Sequence, residues 1–376
     1  MPESMTALTT RAAVLVESGR PAPFGSSRPI EIIDVDLAAP RATELLVRVE
    51  AAGVCHSDLS VVDGSRLRPL PMVLGHEAAG LVVEVGSAVE DIAVGQRVVL
   101  VFVPSCGDCS MCRSGRPALC TRAKQANGEG SLLGGGSRLS VDGRRVQHHL
   151  GVSGFSELAV VDRASVVPVP DDVPPGVAAM FGCALLTGVG AVRHSGHLRA
   201  GETVGVWGLG GVGLSAMLGA VAAGAERVVV FDPAESKREL ARRLGATDVL
   251  EPGQDLRDVL PDGVDLAVEA VGRAAALRAA FDATAVGGRT VTAGLPAPGQ
   301  LLELPALTIV AEARTLIGSY MGDAHPPEDI ATFVEWWRAG TLPVEALCSG
   351  ELGLDGLNEA MDRLADGSAV RQIVRP

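Results

Sequence analysis

A glycine-rich turn between a predicted strand and a predicted helix constrains the fold of this chain more than any other stretch. The strand-like run "TVGVWG" leads into "GLGGVG" (208–213), and "GVGLSAMLGAVAAGA" continues as an apolar helical segment. In that setting the G-x-G-x-x-G spacing is specific, because its glycines permit a tight turn, backbone approach to a pyrophosphate and close helix–strand packing. The sequence therefore predicts a dinucleotide-binding turn at 208–213.

Strand-like and helical stretches alternate around this turn, from about 201 to 322. Alternation of this kind predicts a parallel, doubly wound sheet flanked by helices. The uncharged stretch 203–225 is long enough to span a membrane, but its glycine cluster favours a buried strand, turn and helix. The other strand-like stretches are "RVVVFD" (227–232), "DLAVEAVG" (265–272), "RTVTAGL" (289–295) and "TLIGSYMG" (315–322), and "PAESKRELARRLGA" (233–246) is predicted to be helical.

The first half of the chain has a different pattern. Short Val-rich runs bounded by Gly or Pro predict strands and a β-rich domain. Residues 121–150 are rich in Gly, Ser and Arg, and we expect a long loop there. Residues 323–376 return to a helical pattern and end in an amphipathic stretch. The Val-rich runs are "ELLVRVEAAGV" (44–54), "AGLVVEVGS" (79–87) and "GQRVVLVFV" (95–103).

Length and charge restrict the protein class. A chain of 376 residues exceeds the usual size of one domain, so two domains are expected. The formal net charge of −13 argues against a nucleic-acid partner and against attraction to an anionic membrane. The N-terminal residues "MPESMTALTT" do not have the pattern of a signal peptide. We therefore expect a cytoplasmic protein, in which an odd number of cysteines argues against a disulfide framework.

An acidic residue ends the strand after the glycine turn. A carboxylate at Asp232 accepts hydrogen bonds from ribose hydroxyls and repels a 2′-phosphate, which favours NAD over NADP. Lys237 is predicted to reach the same ribose. The alternative is a strand–helix turn that binds no ligand. The predicted cofactor-binding set at this turn is Gly208, Gly210, Gly211, Val212, Gly213, Asp232 and Lys237.

Four of the seven cysteines form one cluster, at Cys106, Cys109, Cys112 and Cys120. Their spacing is that of thiolates around one tetrahedral zinc. An iron–sulfur cluster is an alternative, but the ferredoxin run has a shorter last gap and a following Pro. A thioredoxin-like CxxC pair, the other alternative, would leave two cysteines unused. Four protein ligands leave no position for a substrate, so a structural zinc is predicted.

Catalytic chemistry is therefore expected at scattered residues. The candidates are Cys55 in "GVCHSD", His76 in "GHEAAG" and Cys183 in "FGCALLTG". Zinc uses a Cys2His set for alcohol chemistry, with the fourth position left to water or substrate. Spacing alone does not join residues so far apart, and each taken singly is also typical of a buried core residue.

Together these motifs resemble the zinc-dependent medium-chain alcohol dehydrogenases over residues 11–376. "LGHEAAG", the four-cysteine run, "GLGGVGLSA", "AAGAERVVVFD" and "LGATD" occur in the order and spacing of that family. "DGRRVQHHLGVSGFSELAVV" resembles its dimeric class III branch, which includes glutathione-dependent formaldehyde dehydrogenase. The resemblance implies a GroES-like catalytic domain and a Rossmann domain, an NAD cofactor, two zinc ions per chain (one catalytic, one structural) and a homodimer.

The resemblance also implies roles for single residues. It implies that Cys55, His76 and Cys183 are the catalytic zinc ligands. It also implies that Glu77 lies beside the metal, where it can replace the bound water. Ser57 takes the proton of the substrate hydroxyl, and Asp58 orients His76. The other implied contacts are His56 and Arg371 with the pyrophosphate, Thr187 and Leu295 with the nicotinamide, and Phe102, Leu150 and Tyr320 with the substrate.

The predicted domains follow from these assignments. The catalytic domain spans 1–184, carries a structural zinc lobe at 104–122 and is completed by 323–376. The NAD-binding domain spans 185–322. The predicted function is hydride transfer between NAD and a primary or secondary alcohol, or the reverse reduction of an aldehyde. The alternatives are a formaldehyde dehydrogenase that uses mycothiol or glutathione, and a non-catalytic redox sensor that binds zinc and NAD.

Three positions depart from the family pattern. Ser60 stands where many relatives have a histidine that relays the proton, so the relay is expected to end in water. Arg66 stands where glutathione-dependent relatives have an acid, and the arginine partner is either Arg122 or Lys124. These departures argue against a glutathione-type substrate. Arg66, Arg68 and the arginines of 138–145 either face an anionic substrate or are solvated loop charges.

Overall fold

The computed structural model describes residues 8–376, so most of the N-terminal stretch considered for a signal peptide lies outside the described residues. The strands are β1 Leu8–Leu15, β2 Ile30–Leu37, β3 Glu44–Val54, β4 Met72–Val73, β5 Ala78–Val85, β6 Arg97–Leu100, β7 Leu139–Val141, β8 Arg144–His148, β9 Leu158–Asp162, β10 Val166–Pro168, β11 Thr203–Trp207, β12 Arg227–Phe231, β13 Asp248–Leu250, β14 Val264–Glu269, β15 Thr284–Thr292, β16 Thr315–Gly318, β17 Cys348–Leu352 and β18 Arg371–Val374. The α-helices are α1 Phe24–Ser27, α2 His56–Val62, α3 Ser110–Arg113, α4 Thr121–Glu129, α5 Pro175–Met180, α6 Leu186–Gly190, α7 Gly211–Ala222, α8 Glu235–Arg243, α9 Ala274–Asp282, α10 Ala306–Ala311, α11 Pro326–Arg338 and α12 Leu357–Ala365.

The first compact unit is β-rich, as the Val-rich runs predict. It comprises 8–183, Pro326–Ala331 and Cys348–Pro376. Strands β1, β2, β7, β8 and β4 form a closed barrel, and a second sheet has the order β10-β6-β5-β3-β18-β17, with β9 also paired to β3. Apolar side chains of β1, β2, β3 and β8 alternate inward and pack into one core. The run 44–54 coincides with β3.

The second compact unit comprises Ala184–His325 and Thr332–Leu347. Its six strands have the order β13-β12-β11-β14-β15-β16, and every neighbouring pair is parallel. The order reverses between β11 and β14, which is the doubly wound arrangement. The predicted α/β fold class is confirmed. The uncharged stretch 203–225 forms β11, a turn and α7, as expected.

The division between the units differs from the predicted domain boundaries at both junctions. Residues 184, 323–325 and 332–347 group with the second unit, whereas the predicted boundaries assigned 1–184 and all of 323–376 to the first. Within the second unit, the guanidinium of Arg193 lies 5.0 Å from the ring centre of Trp336 on α11. An arginine over an indole ring is an attractive cation–π contact.

The prediction of a long loop at 121–150 is wrong. This stretch contains α4 and the hairpin β7–β8. Helix α4 is capped by the Cys120 sulfur, which accepts from Ala123 N–H, and ends at Gly130 with φ 64°. The hairpin turns at Asp142 and Gly143, with φ of 50° and 72°. Asp-Gly between short strands is a strong hairpin signal, and a Gly in the left-handed region ends many helices, but both were hidden in a polar composition.

A continuous helix, Pro175–Ser195, contains α5 and α6 and two π-helical turns, Phe181–Leu185 and Ala191–Ser195. Among the described residues it alone has the length and hydropathy that crossing a membrane would need, and 89% of its most apolar window is buried inside the fold. A buried core helix passes the same test of length and composition.

Candidate active site

Three loops and turns of the first unit bring the scattered metal-ligand candidates together. Cys55 directly precedes α2, His76 lies between β4 and β5, and Cys183 lies in the π-helical turn Phe181–Leu185. Their ligand atoms all lie within 4.8 Å of one another, and all three residues are buried. Cys183 Sγ is 3.4 Å from His76 Nε2, close to the about 3.6 Å edge of a tetrahedral zinc site with sulfur and nitrogen ligands. The residues fit one zinc ion with a fourth position left over.

Asp58 orients the imidazole of His76. Its Oδ1 lies 3.1 Å from His76 Nδ1 and accepts from Gly75 N–H at 3.2 Å, and its Oδ2 accepts from Cys55 N–H at 3.1 Å. Burial alone would raise the pKa of Asp58, but the contacts with His76 and His149 outweigh it and lower the pKa to about 2. A carboxylate that holds one ring nitrogen leaves the other to face a metal.

His149 is a site residue that sequence reasoning missed. It is 1% exposed, and its Nδ1 lies 3.0 Å from Asp58 Oδ1. Its ring meets the His76 ring edge to face, with centres 5.3 Å apart. Burial lowers the pKa of His149, which favours the neutral ring. The pair "HH" at 148–149 was visible in the sequence, but no local pattern links it to Asp58.

The two thiols of the trio differ in acidity. A hydrogen bond from Cys183 lowers the pKa of Cys55 well below its usual range, and the same bond raises the pKa of Cys183. Cys55 is therefore the more acidic thiol of the pair. Zinc binds thiolates, so an ion at this site would hold both sulfurs in the deprotonated form.

Glu77 lies next to this trio, and neither of its carboxylate oxygens has a hydrogen-bond partner among residues 8–376. It is fully buried, and Arg371 Nε is 3.5 Å from its Oε1. Burial raises the pKa of Glu77 to about 7. Arg371 also donates from Nη1 to Val54 O at 3.0 Å. A buried carboxylate without hydrogen-bond partners is costly unless it serves a cation or a ligand.

The cysteine cluster has the geometry of a second, closed metal site. The Sγ–Sγ distances are 3.9 Å for Cys106–Cys112, 3.5 Å for Cys109–Cys112 and 3.9 Å for Cys109–Cys120. A tetrahedral zinc with four sulfur ligands has edges of about 3.8 Å, and a disulfide bond is far shorter. Backbone N–H groups of Cys109 and Ala123 donate to cluster sulfurs. Four ligands close this site to substrates.

The glycine turn of the second unit has the geometry of a nucleotide cradle. Gly208 has φ 90°, and a side chain on Gly213 would lie 1.7 Å from the Gly208 carbonyl. Gly210 precedes α7, and a side chain there would meet no atom of the described residues within 4 Å. The backbone therefore borders open space at the N-terminus of α7, where unpaired N–H groups favour a phosphate. Gly211 and Val212 form the first turn of that helix.

Asp232 stands beside this turn, as its position after β12 predicts. Its Oδ2 accepts from Leu209 N–H at 2.7 Å, and its Oδ1 accepts from Ala234 N–H at 2.9 Å. A carboxylate has about four lone-pair positions, so two remain for other donors. Lys237 is half-buried on α8.

Comparison with known proteins identifies the family. The family model "Alcohol dehydrogenase GroES-like domain" matches residues 41–171, and "Zinc-binding dehydrogenase" matches 211–338. S-(hydroxymethyl)glutathione dehydrogenase of Escherichia coli O1:K1 is 34% identical, over 94% of this chain and 98% of the relative. The chain belongs to the zinc-dependent medium-chain alcohol dehydrogenases. The predicted resemblance to this family and to its class III branch is confirmed.

Two solved structures resemble this alcohol dehydrogenase over nearly its full length. Benzyl alcohol dehydrogenase from Acinetobacter calcoaceticus has a TM-score of 0.91 at 30% identity, over 98% of this chain and 99% of the other. An alcohol dehydrogenase zinc-binding domain protein from Burkholderia ambifaria has a TM-score of 0.92 at 32% identity, with the same coverage. The protein is an NAD(P)-dependent oxidoreductase with a GroES-like and a Rossmann-like domain.

The remaining predicted residues of this alcohol dehydrogenase fall in both units. Ser57 is half-buried and His56 exposed in the first turn of α2. Ser60 donates from Oγ to His56 O at 2.8 Å. The pocket and nicotinamide positions are Phe102 and Leu150, buried in the first unit, and Thr187 (buried), Leu295 and Tyr320 (both exposed) in the second.

The arginines of 138–145 are not a free anion-binding group. Arg138 is 5% exposed and donates to both carboxylate oxygens of Glu44, at 2.7 and 2.8 Å. Arg145 donates to Ser131 Oγ at 3.2 Å. Arg144 is exposed, and Arg66 is half-exposed. Most of these guanidinium groups therefore hydrogen-bond to other residues of the fold or face solvent.

Proposed function

We propose that the enzyme interconverts a small primary or secondary alcohol and its aldehyde or ketone, with NAD as cofactor. The observation that carries this proposal is the convergence of Cys55, His76 and Cys183 with the Asp58 carboxylate on the outer nitrogen of His76. When bound, zinc would polarise the substrate oxygen and the nicotinamide would carry the hydride. A Cys2His set with one open position is the ligand set that zinc uses in such enzymes.

The residues around the trio supply proton transfer and positioning. Ser57 follows Cys55 by two positions and takes the proton of the substrate hydroxyl. Because Ser60 commits its hydroxyl proton to the His56 carbonyl, the proton then passes to solvent water without a histidine relay. Glu77, which is buried and has no hydrogen-bond partner among the described residues, would supply a carboxylate beside the metal.

NAD is proposed over NADP. The Asp232 carboxylate would repel a 2′-phosphate. The nearby cation Arg238 does not offset it, because its guanidinium donates to Asp232 O, Pro233 O and Glu251 Oε1. Lys237 is proposed to contact the ribose. His56 and Arg371 are proposed to contact the pyrophosphate, and Thr187 and Leu295 the nicotinamide.

Two zinc ions per chain are proposed. The open trio holds the catalytic ion. Cys106, Cys109, Cys112 and Cys120 hold a structural ion, with Sγ separations that match a tetrahedron.

A thiol-dependent formaldehyde dehydrogenase is the second candidate. The 34% identity to S-(hydroxymethyl)glutathione dehydrogenase favours it. The arginine at position 66, where glutathione-dependent relatives have an acid, argues against a glutathione adduct. Membership of a dehydrogenase family argues against the third alternative, a non-catalytic sensor.

A cytoplasmic homodimer is proposed as the working form. Strand β16 is the last strand of the parallel sheet, and within residues 8–376 its outer edge is unpaired. Apolar side chains on β16 and on the preceding helix α10 are exposed: Leu307 by 77%, Val310 by 81% and Leu316 by 39%. Exposed apolar patches beside an open strand edge mark protein–protein interfaces.

A substrate and metal panel tests the proposal. We expect two zinc ions per chain by mass spectrometry, NADH formation with simple alcohols, a lower KM for NAD than for NADP, and no stimulation by glutathione or mycothiol with formaldehyde. In Cys55→Ala we expect one zinc ion and no turnover. If the enzyme oxidises formaldehyde only when a thiol is added, the second candidate, a thiol-dependent formaldehyde dehydrogenase, would be favoured instead.

A further inference from the structure

His149 is a buried polar side chain to which the mechanism above gives no role. It follows β8, and its position is set by its own backbone. Its N–H donates to Ser153 Oγ at 3.1 Å and to Val73 O at 3.3 Å, and its carbonyl accepts from Val152 N–H at 3.1 Å. The backbone of the turn 149–153 therefore fixes the position of the ring. The same turn contains Leu150, a predicted substrate-pocket residue.

The Asp58 carboxylate lies beside the His149 ring. Within the described residues, His149 Nδ1 has no aligned hydrogen bond, although Asp58 Oδ1 is 3.0 Å away. The lone pairs of Oδ1 explain the poor alignment. A carboxylate oxygen has two, and Gly75 N–H and His76 Nδ1 already approach it at 3.2 and 3.1 Å. His149 is therefore a third polar contact on one oxygen atom.

The contact between His149 and Asp58 is not part of a further metal site. Asp58, His76 and His149 bring their ligand atoms within 4.8 Å of one another. The nitrogen–oxygen distances of 3.0 and 3.1 Å are hydrogen-bond distances. His76 also faces Cys183 with its other nitrogen. A close polar contact with Asp58 fits these distances, and a ligand role for His149 does not.

We propose that His149 is a positioning residue of the catalytic metal site. It fixes the Asp58 carboxylate from a third chain segment and packs its ring edge against His76, so that His76 keeps one orientation toward the ion. The inference rests on the proposal that Cys55, His76 and Cys183 hold zinc. Groups of this kind around a metal site typically change metal affinity or activity by 10–100-fold.

Two substitutions at His149 and one at its neighbour test the proposal. His149→Phe keeps an aromatic ring and removes the nitrogen, and His149→Asn keeps an N–H donor. His148→Phe is the matched control, because His148 is also 1% exposed but contacts Ser153 and Arg138 instead of Asp58. The measurements are zinc release to a chelator, the absorption spectrum of the cobalt-substituted enzyme, thermal unfolding and kcat.

We expect His149→Phe to release the catalytic zinc about 10–100-fold faster and to lower kcat by a similar factor. We also expect a shifted cobalt spectrum, and His149→Asn should lie between it and the parent. His148→Phe should change unfolding without changing release or the spectrum. Parent-like release and spectra in both His149 variants, or the same change in His148→Phe, would overturn the proposal. If Cys55→Ala keeps both zinc ions and turnover, the metal-site assignment itself fails, whatever His149 does.

Discussion

At the scale of single residues, two glycines of the nucleotide turn have opposite surroundings. A side chain on Gly213 would overlap the Gly208 carbonyl at 1.7 Å, while a side chain on Gly210 would point into open space. Gly213 therefore serves the packing of α7 on the sheet. Gly210 leaves space at the N-terminus of the helix, and we propose that the pyrophosphate occupies this space.

Alanine at the two positions should separate these roles. Gly213→Ala should lower the free energy of unfolding by about 1–3 kcal/mol or more, because the backbone must move to admit the methyl group. Gly210→Ala should leave stability nearly unchanged and weaken NAD binding. Denaturant unfolding and NADH fluorescence titration measure the two effects. A stable Gly213→Ala protein with unchanged cofactor binding would contradict the assignment.

At the scale of elements, the zinc lobe around α3 and the hairpin β7–β8 are held in different ways. The lobe depends on four sulfurs at metal-ligand distances. The hairpin is tied to the start of β3 by the buried ion pair of Arg138 and Glu44, with side chains 4% and 1% exposed. Each of these two sets of contacts involves only a few atoms, so one substitution can remove it.

Cys109→Ala should remove the structural zinc and reduce stability before it reduces chemistry. Three sulfurs cannot complete the tetrahedron, and the free energy of metal binding to such a site is also folding free energy. We expect one zinc ion per chain, a lower unfolding temperature and substantial residual kcat. Cys348→Ala, which removes a thiol outside both clusters, is the control. A variant as stable as the parent but without hydride transfer would refute this division of roles.

Glu44→Gln should cost about 3–5 kcal/mol of unfolding free energy, because it leaves the Arg138 charge buried without a partner. The matched control is Asp91→Asn. Its ion pair with Arg163 is largely exposed, with Asp91 65% accessible, and such pairs contribute at most about 1 kcal/mol. Urea unfolding of both variants checks the difference. Equal losses of unfolding free energy in the two variants would mean that burial of the Glu44–Arg138 pair does not increase the cost of breaking it.

At the scale of the whole molecule, association is expected to cover the open edge of the parallel sheet. Val310→Asp places a charge among the exposed apolar side chains of α10, the helix that precedes β16, and it should halve the mass measured by light scattering. Val94→Asp is the control, because Val94 is similarly exposed, at 62%, in the first unit. A parent enzyme that is monomeric at micromolar concentration would contradict the proposed dimer.

Sequence patterns predicted the parallel sheet and the glycine turn because both have local signals, a change of hydrophobic period and a fixed glycine spacing. They also grouped the cysteine cluster, whose members are neighbours in sequence. The α4 segment and its hairpin were missed because polar composition masked their Gly130 and Asp142–Gly143 signals. His149 was missed for another reason: its contact with Asp58 depends on barrel closure, which no local spacing encodes.

The hydrogen bonds of Asp58 have a consequence for the order in which the protein acquires its metals. Backbone N–H groups of Cys55 and Gly75, together with the His76 ring, organise the open trio through protein contacts alone. Metallation of that site should therefore be a late and exchangeable step, carried out on a finished fold. In the four-sulfur lobe the backbone N–H groups of Cys106, Cys109 and Ala123 donate to the sulfur atoms themselves. Metal binding to such a site is coupled to folding, so its ion should enter while the chain is still folding and stay for the life of the molecule.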